Sequence, residues 1–158
     1  WINHNHLKKL TNESLLNLSE KHLKQLNDSF KKSDVIMIIS LVKERLNLIT
    51  DIEKETVLFY KDPDYSLLNE KVSKNEDSLK VLNDFKSIFS SLNNIDNAKD
   101  KIISYGNKNN LKLGFLMQLL RITIVGKLSG PDLFSIIKII GKNVTLKRIN
   151  NLMSKLKN

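Results

Sequence analysis

The chain has 158 residues, of which 41% are apolar, so it can bury a core and form one domain or two small helical ones. It contains no cysteine, which excludes a disulfide scaffold and thiolate zinc sites. Its 26 basic and 17 acidic side chains give a net charge of +9, which favours a polyanionic partner such as a nucleic acid. AT-rich codon usage also raises the lysine content of a protein without any binding role, so the charge alone does not decide between these explanations.

Apolar residues recur at helical spacing nearly throughout, and alternating strand patterns flanked by hairpin turns are absent from the sequence. This pattern predicts an all-α fold. A first helix is predicted over Asn12–Leu26, with leucines forming one apolar side. Ser33 and Asp34 are favourable N-cap types and predict the start of the next helix, which should end near Asn47.

A break near Pro63 divides the chain. Before it, Thr50 and Glu53 have the spacing of a capping box and predict the start of another helix. Proline lacks an amide donor and pushes the preceding residue out of helical space, so the helical pattern should stop there. We therefore predict a first helical subdomain over residues 1–62 and a second over residues 63–158.

The second subdomain begins with another capping-box spacing, Ser73 with Glu76, before an amphipathic helix that extends to Leu92. The helix after it is predicted over Asn97–Tyr105. Gly106 should end that helix, because glycine adopts the left-handed conformation of a helix C-cap without strain.

The tail is divided by glycine and proline into three further helices. The first is predicted over Leu111–Val125. The second is predicted over Pro131–Ile140, because proline is common at the first helical position and Gly141 follows as a stop. Apolar side chains surround most of that second helix, so it should be largely buried. The last helix is predicted over Val144–Lys155.

The sequence has no membrane or secretion signal. Its longest apolar stretch is shorter than the roughly 20 residues that a spanning helix needs, and polar residues interrupt it. We therefore expect a cytoplasmic protein with no membrane partner. The chain begins at Trp1 rather than at an initiator methionine, which indicates a piece of a longer protein.

Of the 26 lysine and arginine residues, only three are arginine: Arg45, Arg121 and Arg148. Lys, Asn and Ile make up 59 of the 158 residues, a bias typical of AT-rich coding, so a retained arginine should need its planar, bidentate guanidinium. Arg121 lies in an apolar stretch, where either a carboxylate meets it or it faces a ligand beside the loop 126–130. Arg148 and the adjacent Lys147 could contact phosphates or lie on a solvated helix face, and Arg45 could sit in a surface salt bridge.

No catalytic residue or metal ligand is predicted in this chain. His4 and His6 could be taken for a metal pair, but no third strong ligand lies near them, so they are interpreted as exposed or packing histidines. Neither a glycine-rich dinucleotide motif nor a phosphate-binding loop occurs in the sequence.

Five short segments between Lys112 and Ile149 form a characteristic series of motifs. They are Lys112-Leu113-Gly114 through Gln118, Leu120 to Gly126, Gly130-Pro131-x-Leu133-Phe134, Ile140-Gly141-Lys142 and Arg148-Ile149. Together they resemble the C-terminal anticodon-binding region of bacterial-type glutamyl-tRNA synthetases. Upstream, Trp1-Ile2-Asn3 and Lys43-Glu44-Arg45 resemble earlier segments of the same family, so the resemblance covers nearly the whole chain.

This resemblance implies a fold of two small helical subdomains, the anticodon-binding helical bundle of a class I aminoacyl-tRNA synthetase. It also implies a parent ligase that uses ATP and Mg to activate glutamate and loads it onto tRNA(Glu). The catalytic domain would precede Trp1, and this chain would bind the anticodon loop of tRNA(Glu) without a catalytic site or cofactor of its own. We expect it to be a monomer.

The resemblance also implies roles for individual residues. The arginine matching Arg45 reads the third anticodon base, and the one matching Arg121 reads the middle base. The turn that holds Pro131 and Leu133 packs around the first base. Arginine rather than glutamine at position 45 resembles enzymes that discriminate glutamate from glutamine tRNAs. The residues predicted to contact RNA are therefore Arg45, Arg121, Pro131, Leu133, Lys147 and Arg148.

Two positions depart from the pattern of the family. Many relatives have proline where this chain has Leu119, and threonine where it has Val125. Without the proline, the helix that carries Arg121 should be more continuous.

Two other functions compete with this interpretation. One is a basic helical protein-interaction or scaffold domain, which would be indifferent to tRNA. The other is a helix-turn-helix DNA-binding domain, which is disfavoured because no short recognition-helix pair with clustered polar side chains is present.

Overall fold

A computed structural model describes residues 4–66, 68, 72 and 76–158 of the chain. Each regular element among these residues is helical, which confirms the predicted all-α class. The chain divides into two compact units, Trp1–Lys61 and Asp62–Asn158, and each unit is described here by itself. Within the described ranges, none of the helices combines the length and apolar character that membrane crossing requires.

Five short α-helices are present in the described part of the first unit, residues 4–61. They are α1 (His4–Lys9), α2 (Asn12–Leu18), α3 (Lys24–Ser29), α4 (Lys32–Val42) and α5 (Asp51–Tyr60), with 3-10 turns at Glu20–His22 and Lys43–Arg45. Helix α4 packs against α2, α3 and α5, and α3 also packs against α5. The apolar faces of these helices form the core of the unit, with Leu15, Ile38 and Ile52 fully buried.

The single helix predicted over Asn12–Leu26 is wrong, because the helix is interrupted at Ser19. This serine is fully buried, and its hydroxyl donates a hydrogen bond to the carbonyl of Leu15. Serine side chains compete with backbone hydrogen bonds in this way, and a 3-10 turn follows the helix before α3 begins. Leucine spacing alone does not detect such an interruption.

The helix predicted to start at Thr50 is correct, but its capping box is wrong. Thr50 already has helical dihedral angles, and its side chain makes no capping bond. The carboxylate of Asp51 instead accepts hydrogen bonds from the amides of Asn47, at 3.0 Å, and Leu48, at 2.9 Å. This carboxylate therefore holds the loop before α5 rather than the helix end itself. Helix α4 likewise begins earlier than predicted, after Lys31 rather than at Ser33 or Asp34.

The elements described in the second unit include four longer helices. They are α6 (Asp77–Ser91), α7 (Ala98–Lys108), α8 (Leu113–Val125) and α9 (Leu133–Lys157), with a 3-10 turn at Ile95–Asn97. Helix α9 packs against α6 and α8, and α7 packs against the same two helices. Their shared core includes the fully buried Phe85, Phe89 and Leu120. Ser73, of the second predicted capping box, lies outside the described residues.

The predicted helix stop at Gly106 is wrong, since α7 continues through this residue to Lys108. Gly106 is buried, and a Cβ atom on it would lie 2.8 Å from the Cδ1 atom of Leu116 on α8. The glycine therefore permits a close approach of two helices. The left-handed residue of this connection is Asn110, with φ 53°.

The start of α9 also differs from the prediction. Pro131 precedes the helix, and Asp132 is the N-cap, whose carboxylate accepts a hydrogen bond of 2.9 Å from the amide of Ser135. Hydrogen bonds from Ser135 lower the pKa of Asp132. The predicted interruption at Gly141 is confirmed, because its dihedral angles, φ 82° and ψ 172°, are not helical. Helix α9 thus consists of two helical segments, residues 133–140 and 142–157.

We predict that Gly141→Ala destabilises the protein by about 1 to 3 kcal/mol, because this backbone conformation is accessible almost only to glycine. Apart from its own chain neighbours and the backbone of its helix, no described residue has an atom within 4 Å of an added Cβ, so the cost would come from the backbone and not from a clash. Gly114→Ala is the matched control. It lies in the first turn of α8, also has open space, and should stabilise the protein by up to about 1 kcal/mol. Urea denaturation followed by circular dichroism measures both, and equal effects would contradict this account.

Candidate nucleic-acid interface

Arg45 ends the 3-10 turn that follows α4 in the first unit. Its Nε atom donates a hydrogen bond of 2.7 Å to the Oε2 atom of Glu55 on α5, so the surface salt bridge foreseen from the sequence is present. The side chain remains 36% exposed. Among the described residues, no hydrogen bond to its two terminal amino groups is found. Glu55 therefore holds the guanidinium through Nε, while the side chain stays in contact with solvent.

The turn that carries Arg45 is held from several sides. Leu46, the next residue, is fully buried, and its carbonyl is hydrogen-bonded to Nδ1 of His4. The ammonium group of Lys43 donates to the carbonyl of Leu10. These contacts fix the backbone on both sides of Arg45. His4 thus has a packing role, and the described residues contain no cluster of three potential metal ligands.

Glu44, the acidic residue before Arg45, is ion-paired with another residue. Glu44 forms an ion pair of 2.8 Å with the ammonium group of Lys8. This hydrogen bond lowers the pKa of Glu44, so its carboxylate is ionised and engaged. Arg45 therefore does not have to share its guanidinium with the carboxylate next to it in sequence.

Arg121 lies on α8 in the second unit, with its side chain partly buried. Its Nη1 atom donates a hydrogen bond of 2.9 Å to the carbonyl of Pro131. A Cβ atom on Gly130 would lie only 3.2 Å from the same Nη1 atom. The guanidinium therefore lies directly against the turn that connects α8 to α9, which we call the reading turn (residues 126–131).

The reading turn begins with a left-handed glycine. Gly126 has φ 78°, and its amide donates to the carbonyl of Ile122 at 2.8 Å, which ends α8. A Cβ atom on Gly126 would lie 3.0 Å from the Cβ of Pro63, so a larger residue would also meet a packed neighbour. The next residues, Lys127 and Leu128, are exposed, and Leu128 exposes half of its surface. The turn thus presents a cation beside an apolar side chain.

The side chains of Pro131 and Leu133 are buried, although both were predicted to contact RNA. Pro131 is the last residue of the reading turn, and Leu133 is the first residue of α9. Lys127 and Leu128 are exposed in this turn but were not predicted from the sequence to contact RNA. The only signal in the sequence was a large apolar residue in a glycine-flanked polar turn, and it does not single out this position, because Leu18 and Leu113 are about as exposed.

Lys147 and Arg148 are adjacent in α9 but occupy different environments. Both pair with Asp62, Lys147 Nζ at 2.7 Å and Arg148 Nε at 3.6 Å. The side chain of Lys147 is 63% exposed, whereas that of Arg148 is 1% exposed. The phosphate contact predicted for Arg148 is therefore not available in this structure, because its guanidinium lies in the interior of the second unit.

Arg148 has a structural role at the end of α8. Its Nη1 atom donates a hydrogen bond of 2.7 Å to the carbonyl of Ile124 in the last turn of that helix. A cation is favourable at a helix C-terminus, where the unpaired carbonyl groups carry partial negative charge. Burial lowers the pKa of Arg148, and the nearby carboxylate of Asp62 opposes that shift.

Tyr65 contacts the same helix end. Its hydroxyl group is hydrogen-bonded to the carbonyl of Thr123 and, at 3.3 Å, to the carbonyl of Arg148. Burial raises the pKa of Tyr65, so this hydroxyl remains protonated and acts as a donor at neutral pH.

Five of the six residues predicted to contact RNA lie in the second unit: Arg121, Pro131, Leu133, Lys147 and Arg148. The sixth, Arg45, lies in the first unit.

The chain is similar over its whole length to known ligases. It is 31% identical over 160 residues to the glutamate–tRNA ligase of Flavobacterium johnsoniae, and 27% identical over 160 residues to that of Phocaeicola vulgatus. Each alignment covers 99% of this chain and 32% of the relative. The chain therefore spans about a third of the length of these curated relatives.

Solved structures give the same result. The glutamate tRNA ligase of Elizabethkingia meningosepticum superimposes with a TM-score of 0.85 at 29% identity, covering 98% of this chain and 31% of that one. The glutamate–tRNA synthetase of Elizabethkingia anophelis superimposes with a TM-score of 0.81 at 30% identity, covering 96% and 30%. A family model described as an anticodon binding domain matches residues 5–153. Because that match includes nearly all of the helical elements described above, the chain belongs to the anticodon binding domain family.

Proposed function

We propose that this chain is the tRNA-binding part of a glutamate–tRNA ligase and recognises the anticodon loop of tRNA(Glu). The proposal rests on the similarity of this whole chain to about one third of the length of glutamate–tRNA ligases, together with the family match. The whole protein would activate glutamate with ATP and Mg and charge tRNA(Glu), with the chemistry performed outside this chain. We further propose that it acts in the cytoplasm and as a monomer.

In this proposal, Arg45 reads the third anticodon base. Sequence-specific proteins read RNA mainly on unpaired bases whose edges can be hydrogen-bonded. A planar guanidinium with one edge held by Glu55 offers two parallel donors to such an edge. Lysine at this position would carry the charge but not the fixed pair of donors.

Arg121 and the reading turn would recognise the other two bases. Arg121 is proposed to read the middle base from its position against the turn. Pro131 and Leu133 would define the shape of the turn that packs around the first base. Leu128 would add an exposed apolar surface next to Lys127, a combination suited to a nucleobase and its phosphate. The excess of basic residues would supply the sequence-independent attraction to phosphates.

We predict that Arg45→Lys weakens binding of cognate tRNA(Glu) by about 1 to 3 kcal/mol and reduces discrimination against a substituted third anticodon base. Lys54→Arg, on an exposed lysine of α5, is the matched control and should change neither property. Equilibrium binding to tRNA(Glu) and to third-base variants, at one fixed salt concentration, measures both effects. Footprinting should show protection of the anticodon loop.

The rival scaffold function predicts a different result. Affinity would then be indifferent to the anticodon sequence, and Arg45→Lys would bind like the parent. Anticodon recognition predicts steep salt dependence as well, because lysines that contact phosphates release counterions. A parent protein that binds tRNA(Glu) no better than unrelated tRNAs would refute the proposed function.

Lys147 and Arg148 provide a second test, because they share the carboxylate of Asp62. We predict that Lys147→Met weakens binding about equally for all anticodon variants, with a salt slope smaller by about 1. Its free energy of unfolding should change by less than about 1 kcal/mol, because the pair is exposed. Arg148→Met should cost about 1 to 3 kcal/mol of stability, because it leaves the buried carbonyl of Ile124 without the donor that Arg148 supplies. Chemical denaturation and a salt titration of tRNA binding measure the two residues, and a reversed pattern would contradict their assignment.

A further inference from the structure

The last turn of α8 is held by groups from outside the helix. The final carbonyl groups of a helix have no partners within it and must find donors elsewhere. Here the hydroxyl of Tyr65 donates to the carbonyl of Thr123, and Nη1 of Arg148 donates to the carbonyl of Ile124 at 2.7 Å. We call Asp62, Tyr65 and Arg148 the helix-end clasp.

The members of the clasp are connected to each other. The hydroxyl of Tyr65 also lies 3.3 Å from the carbonyl of Arg148, and Nε of Arg148 lies 3.6 Å from Oδ1 of Asp62. Tyr65 is 8% exposed and Arg148 is 1% exposed, so solvent cannot easily replace these bonds. The chain segment after residue 61 and helix α9 thus hold the end of α8 together.

The clasp acts on the part of α8 between Arg121 and the reading turn. Thr123 and Ile124 follow Arg121 by less than one helical turn and precede Gly126, where the reading turn begins. The guanidinium of Arg121 is in turn bonded to the carbonyl of Pro131 on the far side of that turn, at 2.9 Å. A shift of the helix end would therefore move the reading turn relative to the guanidinium of Arg121.

We infer that Tyr65, through the helix-end clasp, is a positioning residue for recognition of the middle anticodon base by Arg121. This inference rests on the proposed function. Tyr65 touches no base in this account. Its hydroxyl keeps the last turn of α8 in the orientation that presents Arg121 and the reading turn together.

Tyr65→Phe tests this inference with little change in packing, because it removes the hydroxyl and keeps the ring. The chain offers a matched control in the same unit. Tyr105 on α7 donates a hydrogen bond of 2.6 Å to the carboxylate of Asp84 on α6 rather than to a carbonyl of α8. Tyr105→Phe thus removes one tyrosine hydroxyl bond without touching the clasp, and it reports the effect of such a loss on the unit in general.

The experiment uses the full 158-residue chain and three anticodon stem-loop RNAs. One has the tRNA(Glu) anticodon, the second has a substituted middle base, and the third has a substituted third base. We expect Tyr65→Phe to reduce discrimination at the middle base by about threefold to tenfold, the factor expected for one lost hydrogen bond. Discrimination at the third base, assigned to Arg45, should be unchanged. Tyr105→Phe should leave both unchanged.

Amide hydrogen exchange provides a second measurement that needs no RNA. Exchange at Gly126 and Lys127 should be faster in Tyr65→Phe than in the parent, and unchanged in Tyr105→Phe. If middle-base discrimination in Tyr65→Phe equals that of the parent, the inference is overturned, whether or not exchange changes. An equal loss in both variants, or an equal loss at both bases, also overturns it, because the effect would then be general destabilisation.

Failure of the proposed function would look different. In that case the parent protein itself would not distinguish the three RNAs, and the inference would fall with it. A parent that discriminates, together with a Tyr65→Phe variant that discriminates equally well, would refute the positioning role alone.

Discussion

The second unit depends on how it satisfies the carbonyl groups at the end of α8. This helix is almost entirely apolar and is buried along most of its length, so its C-terminal end does not simply open into water. A buried carbonyl without a donor costs about as much as a lost hydrogen bond, so donors must be supplied by the protein. Tyr65 and Arg148 supply them, and Asp62 compensates the charge that Arg148 brings into the interior. The same helix end directs the chain into the turn on which the proposed recognition of two bases depends.

The three arginines show why a guanidinium differs from an ammonium group in more than one setting. Each one uses its several donors in fixed directions. Arg45 bonds a carboxylate through Nε, Arg121 bonds the carbonyl of a turn, and Arg148 lies between a carboxylate and a helix carbonyl. A lysine could not make the bridge of Arg148 in the same geometry. The rarity of arginine in this lysine-rich chain thus identified three sites where shape matters, but one of them serves the protein interior.

Helical periodicity was sufficient to predict the fold class, and the glycine at position 141 was sufficient to predict the interruption of α9, because both depend on residues close in sequence. The helix start near Thr50 was also predicted, although the capping box on which that prediction rested is absent. Other features depend on contacts that sequence spacing does not contain. Ser19 lies at a helix break and bonds back to Leu15, whereas Gly106 lies inside a helix, where its missing Cβ leaves room for Leu116 of another helix. The same limit applies to the candidate site. Residue types and motifs led to the prediction that Arg45, Arg121 and Lys147 contact RNA, and this stays a prediction. The burial of Pro131, Leu133 and Arg148 depends on packing within the second unit, which the sequence pattern does not contain.

The break at Gly141 gives α9 a property that a straight helix lacks. A continuous helix of 25 residues would be a rod of about 38 Å, and an insertion or deletion near its start would rotate all later side chains by about 100° per residue. The non-helical glycine separates the two segments, so such a change before residue 141 would alter residues 133–140 while Lys147 and Arg148 kept their orientation toward Asp62. The ion pairs that the second segment makes with Asp62 therefore do not depend on the helical phase of residues 133–140.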